Sequence, residues 1–303
     1  MELDLSQLTT EKRNEQTLNI DQLSTLEVLT LMNKEDETVA LAVRKCLPAI
    51  EQATNIIYEA MKNGGRLFYV GAGTSGRLGV IDASECPPTF RTEPGLVQGI
   101  MAGGEKAITT AVEGIEDRPE EGKRDLEKAH FGPDDVVVGI AASGRTPYVI
   151  GAIEYATSLG AKTIALTANT NSELSEVAEY AIEVSVGPEV LTGSTRLKAA
   201  TAHKMVLNML STTTMIKLGK VYENLMVDLN ASNLKLKERA KNIVMNATGA
   251  SEKKAGTILM KANNDVKVAI VMIRGNVGYE EALALLQQGN GFVRKAIELA
   301  QRN

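Results

Sequence analysis

The chain has 303 residues, enough for about two domains and for a large buried core that needs no disulfide or metal staple. A formal charge of −5, the absence of Trp and only four Phe argue against the basic stripe and stacking platforms of a general nucleic-acid binder. Cys46 and Cys86 stand apart without CxxC spacing, and His130 and His203 are the only histidines, which disfavours thiolate or histidine metal sites.

The first residues, up to about Gln22, form a polar lead-in without an apolar leader core. No apolar run is long enough to span a bilayer, so a soluble cytoplasmic protein is expected. From Ser24 the pattern is helical. Leu26, Val28, Leu29, Leu31 and Met32 make one stripe, and Val39, Leu41, Ala42, Val43 and Leu47 follow after an acidic break. A helix over 49–61 stops at Gly64-Gly65. The period then changes: 66–70 (RLFYV), 96–100, 135–141 (DVVVGIA), 162–167 (KTIALT) and 180–186 (YAIEVSV) read as strands. Helical segments over 104–112, 119–129, 147–159 and 172–177 lie between them. This alternation predicts a parallel sheet with helices on both faces. A long apolar helix over 195–218 follows. Beyond Asn233 the chain reads as short helices over 234–246, 251–261, 266–274, 280–288 and 292–301. The run VKVAIVMI is assigned to helix, although its β-branched residues also suit a strand, because no neighbouring strand is available to pair with it.

Gly71, Gly73 and Gly76 satisfy GxGxxG between a strand and a helix. A dinucleotide site also needs a second strand ending in Asp or Glu about 20 residues later. That interval holds Asp82-Ala83-Ser84-Glu85-Cys86-Pro87-Pro88, and adjacent prolines do not belong in a central strand. Repetition is the better clue. The strand at 136–141 runs into Ala142-Ser143-Gly144-Arg145-Thr146-Pro147 and another helix, so Thr74-Ser75-Gly76-Arg77 and Ser143-Gly144-Arg145-Thr146 occupy equivalent places. Hydroxyls and free N–H groups at two helix starts suit a phosphate monoester, and Arg145 adds a charge-assisted contact. Capping of two helices by Ser and Thr is the plainer alternative.

Six stretches together carry a resemblance: 8–14 (LTTEKRN), 71–90 (GAGTSGRLGVIDASECPPTF), 111–118 (AVEGIEDR), 142–153 (ASGRTPYVIGAI), 187–212 (GPEVLTGSTRLKAATAHKMVLNMLST) and 222–236 (YENLMVDLNASNLKL). Over nearly its whole length the chain resembles the N-acetylmuramic acid 6-phosphate etherases, whose sheet domain is a sugar isomerase (SIS) phosphosugar-binding domain. The resemblance implies a Rossmann-like three-layer α/β sandwich around a central parallel sheet. An N-terminal arm and helices would cover 1–45, the phosphosugar-binding domain 46–234, and a small all-helical C-terminal domain 235–303. One departure stands in the long helix, where Ala199-Ala200-Thr201-Ala202-His203-Lys204 replaces an AGTAQK form.

The implied reaction cleaves the lactyl ether of N-acetylmuramic acid 6-phosphate to N-acetylglucosamine 6-phosphate and D-lactate. An unactivated ether is a poor electrophile, so elimination from the open-chain aldehyde is the feasible route. It needs one carboxylate to take the C2 proton and a protonated one to assist the leaving oxygen; mutual repulsion and environment set such a pair apart. By motif match these are Glu116, as base, and Glu85, as acid in a loop stiffened by Pro87-Pro88. Glu113 and Asp117 are the alternatives beside Glu116. The resemblance further implies substrate contacts from Thr74, Ser75, Arg77, Ser84, Ser143, Gly144, Arg145, Thr146, Ser194 and Arg196. It implies no metal, cofactor, nucleic acid or membrane partner, and it implies a homodimer. His203 is a minor candidate for opening the sugar ring. Two rivals share the fold: a non-catalytic phosphosugar-sensing regulator resembling glucokinase regulatory protein, and an aldose–ketose phosphosugar isomerase.

Overall fold

The computed structural model describes residues 8–110, 112–229 and 234–302. The chain divides into two compact units, Met1–Ser84 with Gly95–Ser211, and Glu85–Pro94 with Thr212–Asn303.

In the first unit, three short 3-10 turns (Thr9–Glu11, Glu15–Thr17, Ile20–Gln22) lead into α1 (Thr25–Lys45). A reciprocal cap starts this helix: the Ser24 hydroxyl accepts the Glu27 N–H at 3.4 Å, and the Glu27 carboxylate accepts the Ser24 N–H at 2.8 Å. The acidic stretch Glu35-Asp36-Glu37 does not break α1. It contains neither Gly nor Pro, and Glu is a good helix former. α2 (Leu47–Lys62) follows, with Pro48 in its first turn.

Five strands form one parallel sheet: β1 (Leu67–Gly71), β2 (Val97–Met101), β3 (Val136–Ala141), β4 (Lys162–Thr167) and β5 (Tyr180–Glu183), in the order β2-β1-β3-β4-β5. β1 and β3 are buried throughout, which is why their sequences are unbroken apolar runs. α3 (Gly73–Phe90) joins β1 to β2. α4 (Lys106–Thr109) and α5 (Pro119–Lys128) lead to β3, α6 (Pro147–Ser158) joins β3 to β4, and α7 (Glu173–Val177) joins β4 to β5. Strand alternation separates the layers. Phe68 and Val70 pack with Val137, Leu126, Tyr148 and Ile153. Tyr69 points the other way, against Gly79 of α3, where an added Cβ would touch the Tyr69 Cβ at 2.8 Å. The expected three-layer α/β sandwich results.

Several boundaries differ from expectation for local reasons. β5 ends at Glu183 rather than 186, because β4, its only partner, ends at Thr167. α8 (Lys198–Lys217) starts three residues late, where the buried Glu189 carboxylate accepts the N–H groups of Lys198 and Ala199 at 2.9 Å each. α4 is shortened by the left-handed pair Gly103 and Gly104 (φ 85° and 64°). The segment around Glu85, expected as a loop, is helical. Pro87 and Pro88 fall in the last turn of α3, which closes with the Arg91 N–H on the Pro87 carbonyl at 3.0 Å.

Among its described residues the second unit contains a hairpin, β6 (Val221–Tyr222) and β7 (Leu225–Met226), followed by the helices α9 (Leu234–Thr248), α10 (Glu252–Lys261), α11 (Val266–Gly275), α12 (Tyr279–Gln288) and α13 (Val293–Ala300). The ambiguous apolar run is α11. Asp265 caps its start by accepting the Val268 N–H at 3.1 Å, and Asn276 ends it in the left-handed region at φ 52°. Its buried side chains form the centre of an apolar core with Val244, Leu259, Leu285 and Ile297.

Candidate active site

The strand order places β1 beside β3 while their following helices lead to opposite edges of the sheet. The carboxyl ends of β1 and β3 therefore flank a topological switch point, where open α/β sheets bind ligands. Both sequence-predicted loops emerge there. In α3 the Gly76 N–H is bonded to the Ala72 carbonyl at 3.2 Å, so the N–H groups of Gly73, Thr74 and Ser75 lie ahead of the helical ladder. Gly71 and Gly76 approach so closely that a Cβ on Gly71 would sit 2.6 Å from the Gly76 nitrogen. The second loop turns at Gly144, in the left-handed region at φ 70°, and any Cβ there would run into Ser172. The Ser143 hydroxyl accepts the Arg145 N–H at 3.2 Å.

Between the loops lies a cleft of about 210 Å³ lined by Thr74, Ser75, Ser143 and Thr146. Its other polar groups are Glu11, Glu116 and Thr195. A smaller recess of about 130 Å³ adjoins it and is lined by Arg77, Glu113 and Glu116. Glu116 faces both. It sits in a turn whose position is fixed by the Tyr148 N–H, which donates to the Glu116 carbonyl at 3.0 Å. Tyr148 is itself anchored through its hydroxyl to Asp125 at 2.9 Å, and burial next to that carboxylate keeps the phenol protonated.

The remaining predicted residues divide. Arg77 directs its guanidinium to the Ala107 and Ile108 carbonyls at 2.7 and 2.9 Å and faces the recess, not the cleft. Gly144, Arg145, Ser194 and Arg196 line neither cavity, although Gly193 and Thr195 line the cleft. The Ser84 hydroxyl donates to the Ile81 carbonyl within α3. Glu85 is exposed on α3, in the segment that belongs to the second unit. Asp82, one turn before Glu85 on α3, is buried; it accepts the Tyr69 hydroxyl at 3.0 Å and pairs with Lys204 at 3.3 Å. Of the two alternatives to Glu116, Glu113 faces only the recess and Asp117 faces neither cavity. The sequence reading missed Glu11, Gly193 and Thr195 as cleft residues; for Glu11 the motif LTTEKRN was the only signal.

A larger cavity, about 610 Å³, lies at the opposite edge of the sheet, where β3 and β4 begin. Glu51, Glu59, Asp134 and Asp135 line it, and its single cation, Lys162, is paired with Glu179 at 2.7 Å. The smaller cleft, at the switch point and lined by hydroxyls at two helix starts, is the candidate site. His203 is fully buried and lines neither cavity of the site. Among the described residues no group of three or more His, Cys, Asp or Glu is placed to hold a metal, and no helix is long and apolar enough to cross a membrane.

Two family models match the chain: the glucokinase regulatory protein N-terminal SIS domain over residues 49–157 and the SIS domain over 110–213. In fold, the chain is similar to a phosphoheptose isomerase from Francisella tularensis, with a TM-score of 0.50 and 22% identity over 64% of this chain and 100% of that one. In sequence it is 56% identical to an N-acetylmuramic acid 6-phosphate etherase of Bacillus subtilis over 296 residues, 98% of this chain and 97% of that protein. It is 54% identical to N-acetylmuramic acid 6-phosphate etherase 1 of Bacillus licheniformis over 299 residues, 99% of this chain and 98% of that protein. With such identity over nearly its full length, the chain belongs to the N-acetylmuramic acid 6-phosphate etherase family.

Proposed function

We propose that the chain cleaves the D-lactyl ether of N-acetylmuramic acid 6-phosphate in the cytoplasm, releasing D-lactate and N-acetylglucosamine 6-phosphate for sugar recycling. The observation that carries this reading is full-length identity above half to etherases, joined to a cleft lined by two hydroxyl-bearing loops and by the Glu116 carboxylate. The loops at Thr74-Ser75 and Ser143–Thr146 take the phosphate, away from the reacting carbons, and its binding energy holds C2 and C3 in place. Glu116 accepts the C2 proton, and the electron pair of that bond forms C2=C3 as the C3–O bond breaks. Glu85, protonated, gives its proton to the departing lactyl oxygen. Water then adds at C3 with its proton passing to Glu85, and Glu116 returns a proton to C2. Atoms balance, and both carboxyls end as they began.

Glu85 is exposed on α3 and is not among the residues lining the cleft or the recess. We therefore place Glu85 in the cleft of a second copy, making the active form a homodimer. Exposed apolar side chains on α1, Leu26, Leu29 and Leu41, support such pairing.

The elimination route is tested by running the reaction in deuterated, heavy-oxygen water. The account predicts deuterium at C2 and heavy oxygen at C3 of the sugar product, with none in the lactate ether oxygen. Heavy oxygen in the lactate instead would contradict it. Sugar-phosphate binding without lactate release would favour a sensor, the reading that the match to the glucokinase regulatory protein SIS domain keeps in view.

A further inference from the structure

Glu11 lies far from the phosphate loops in sequence yet lines the same cleft as Thr74, Ser143 and Glu116. The arm that carries it is pinned on both sides of Glu11. The Thr9 N–H and hydroxyl both donate to the Asn169 side-chain oxygen at 2.8 Å, and the Asn169 amide donates to the buried Thr10 hydroxyl at 3.1 Å. The Gly193 N–H donates to the Thr10 carbonyl at 3.2 Å. Three residues beyond Glu11, the Asn14 amide donates to Glu35 at 2.9 Å, and Glu35 also receives the buried Lys198 ammonium at 2.7 Å. Asn169 in turn reaches the second phosphate loop through the Ala142 carbonyl at 2.9 Å. The Glu11 carboxylate itself rests against Gly193, whose added Cβ would stand 3.1 Å from it, and it makes no hydrogen bond or ion pair among the described residues.

A carboxylate on a pinned arm, without a hydrogen-bond partner among the described residues and lining a cleft that accepts a phosphate, is unfavourable unless the ligand also brings donors. A bare phosphate offers none that compensate the repulsion; a phosphosugar offers hydroxyls. We propose that Glu11 is a further substrate-binding and specificity-determining residue, its carboxylate accepting hydrogen bonds from hydroxyls of the sugar while the two loops hold the phosphate. This inference rests on the phosphosugar reading above and deepens it. The N-terminal arm then acts as the acceptor wall of the site, selecting polyhydroxylated phosphates over simple anions.

Calorimetric titrations of Glu11→Gln and Glu11→Ala with N-acetylglucosamine 6-phosphate and, separately, with inorganic phosphate test this. Hydrogen bonds to a charged group predict sugar-phosphate binding about 10-fold or more weaker in Glu11→Ala and an intermediate loss in Glu11→Gln. Inorganic phosphate should bind both variants as tightly as wild type or more tightly, because a repelling charge has gone. Unchanged sugar-phosphate affinity would overturn the proposal. So would a parallel loss for both probes, which would mean that Glu11 only holds the arm in place. Failure of the wild type to bind the sugar phosphate would instead remove the phosphosugar reading itself.

Discussion

His203 is fully buried in α8, and burial pulls its pKa from 6.5 down to about 4, so the imidazole is neutral near neutral pH. Between those values the unfolded chain binds more protons than the native one, so stability rises with pH. A shift of this size contributes about 3 kcal/mol, complete above the unfolded value and lost as pH falls toward the native one. His203→Gln, the side chain of the AGTAQK form, removes this titration. The urea midpoint of the wild type should fall more between about pH 7 and about pH 4.5 than that of the variant; parallel profiles would contradict the assignment. His203 is not among the residues lining the cleft or the recess. Thr74, Ser75, Ser143 and Thr146 were legible in the sequence, because strand, turn chemistry and helix start are all local signals. Glu11 and Thr195 were not, since only the tertiary path of the arm and of the 190–195 segment brings them to the cleft.

At the scale of elements, α5 and α6 meet through glycines. A Cβ on Gly122 would run into the Tyr148 carbonyl, and one on Gly151 into the Pro119 carbonyl. This seam also sets Glu116, because Tyr148 at the start of α6 holds the Glu116 carbonyl. Gly151→Ala forces the helices apart and should cost about 1–3 kcal/mol, read as a lower thermal midpoint together with reduced turnover. Glu154→Ala, at an exposed position of the same helix, should stay within about 0.5 kcal/mol of wild type. Equal stability of the two variants would show that the seam is not tightly packed. β1, β3 and β4 were readable as short buried apolar runs, whereas the half-buried β2 and β5 were legible from their place in the strand–helix alternation. The β6–β7 hairpin was not, since two-residue strands carry no periodicity. The extension of α3 through Pro87 and Pro88 was also hidden, because a proline pair reads as a helix breaker wherever its position in the last turn is unknown.

For the whole molecule, the proposal that Glu85 completes the cleft of a second copy carries the central prediction. Mixing the inactive variants Glu85→Gln and Glu116→Gln tests it. If each cleft joins Glu116 of one copy to Glu85 of the other, half the dimers after exchange are mixed, and each mixed dimer has one intact site. Activity should recover to about one quarter of wild type. A mixture that stays inactive would place both carboxylates in one chain, and a light-scattering mass of a single chain would remove the dimer altogether. The most direct test of the account remains release of D-lactate from N-acetylmuramic acid 6-phosphate by the wild type, beside folded Glu85→Gln and Glu116→Gln. The account predicts stoichiometric lactate from the wild type and a loss of about 100-fold or more in each variant. A folded wild type that binds the sugar phosphate without releasing lactate, or variants that keep full activity, would contradict it.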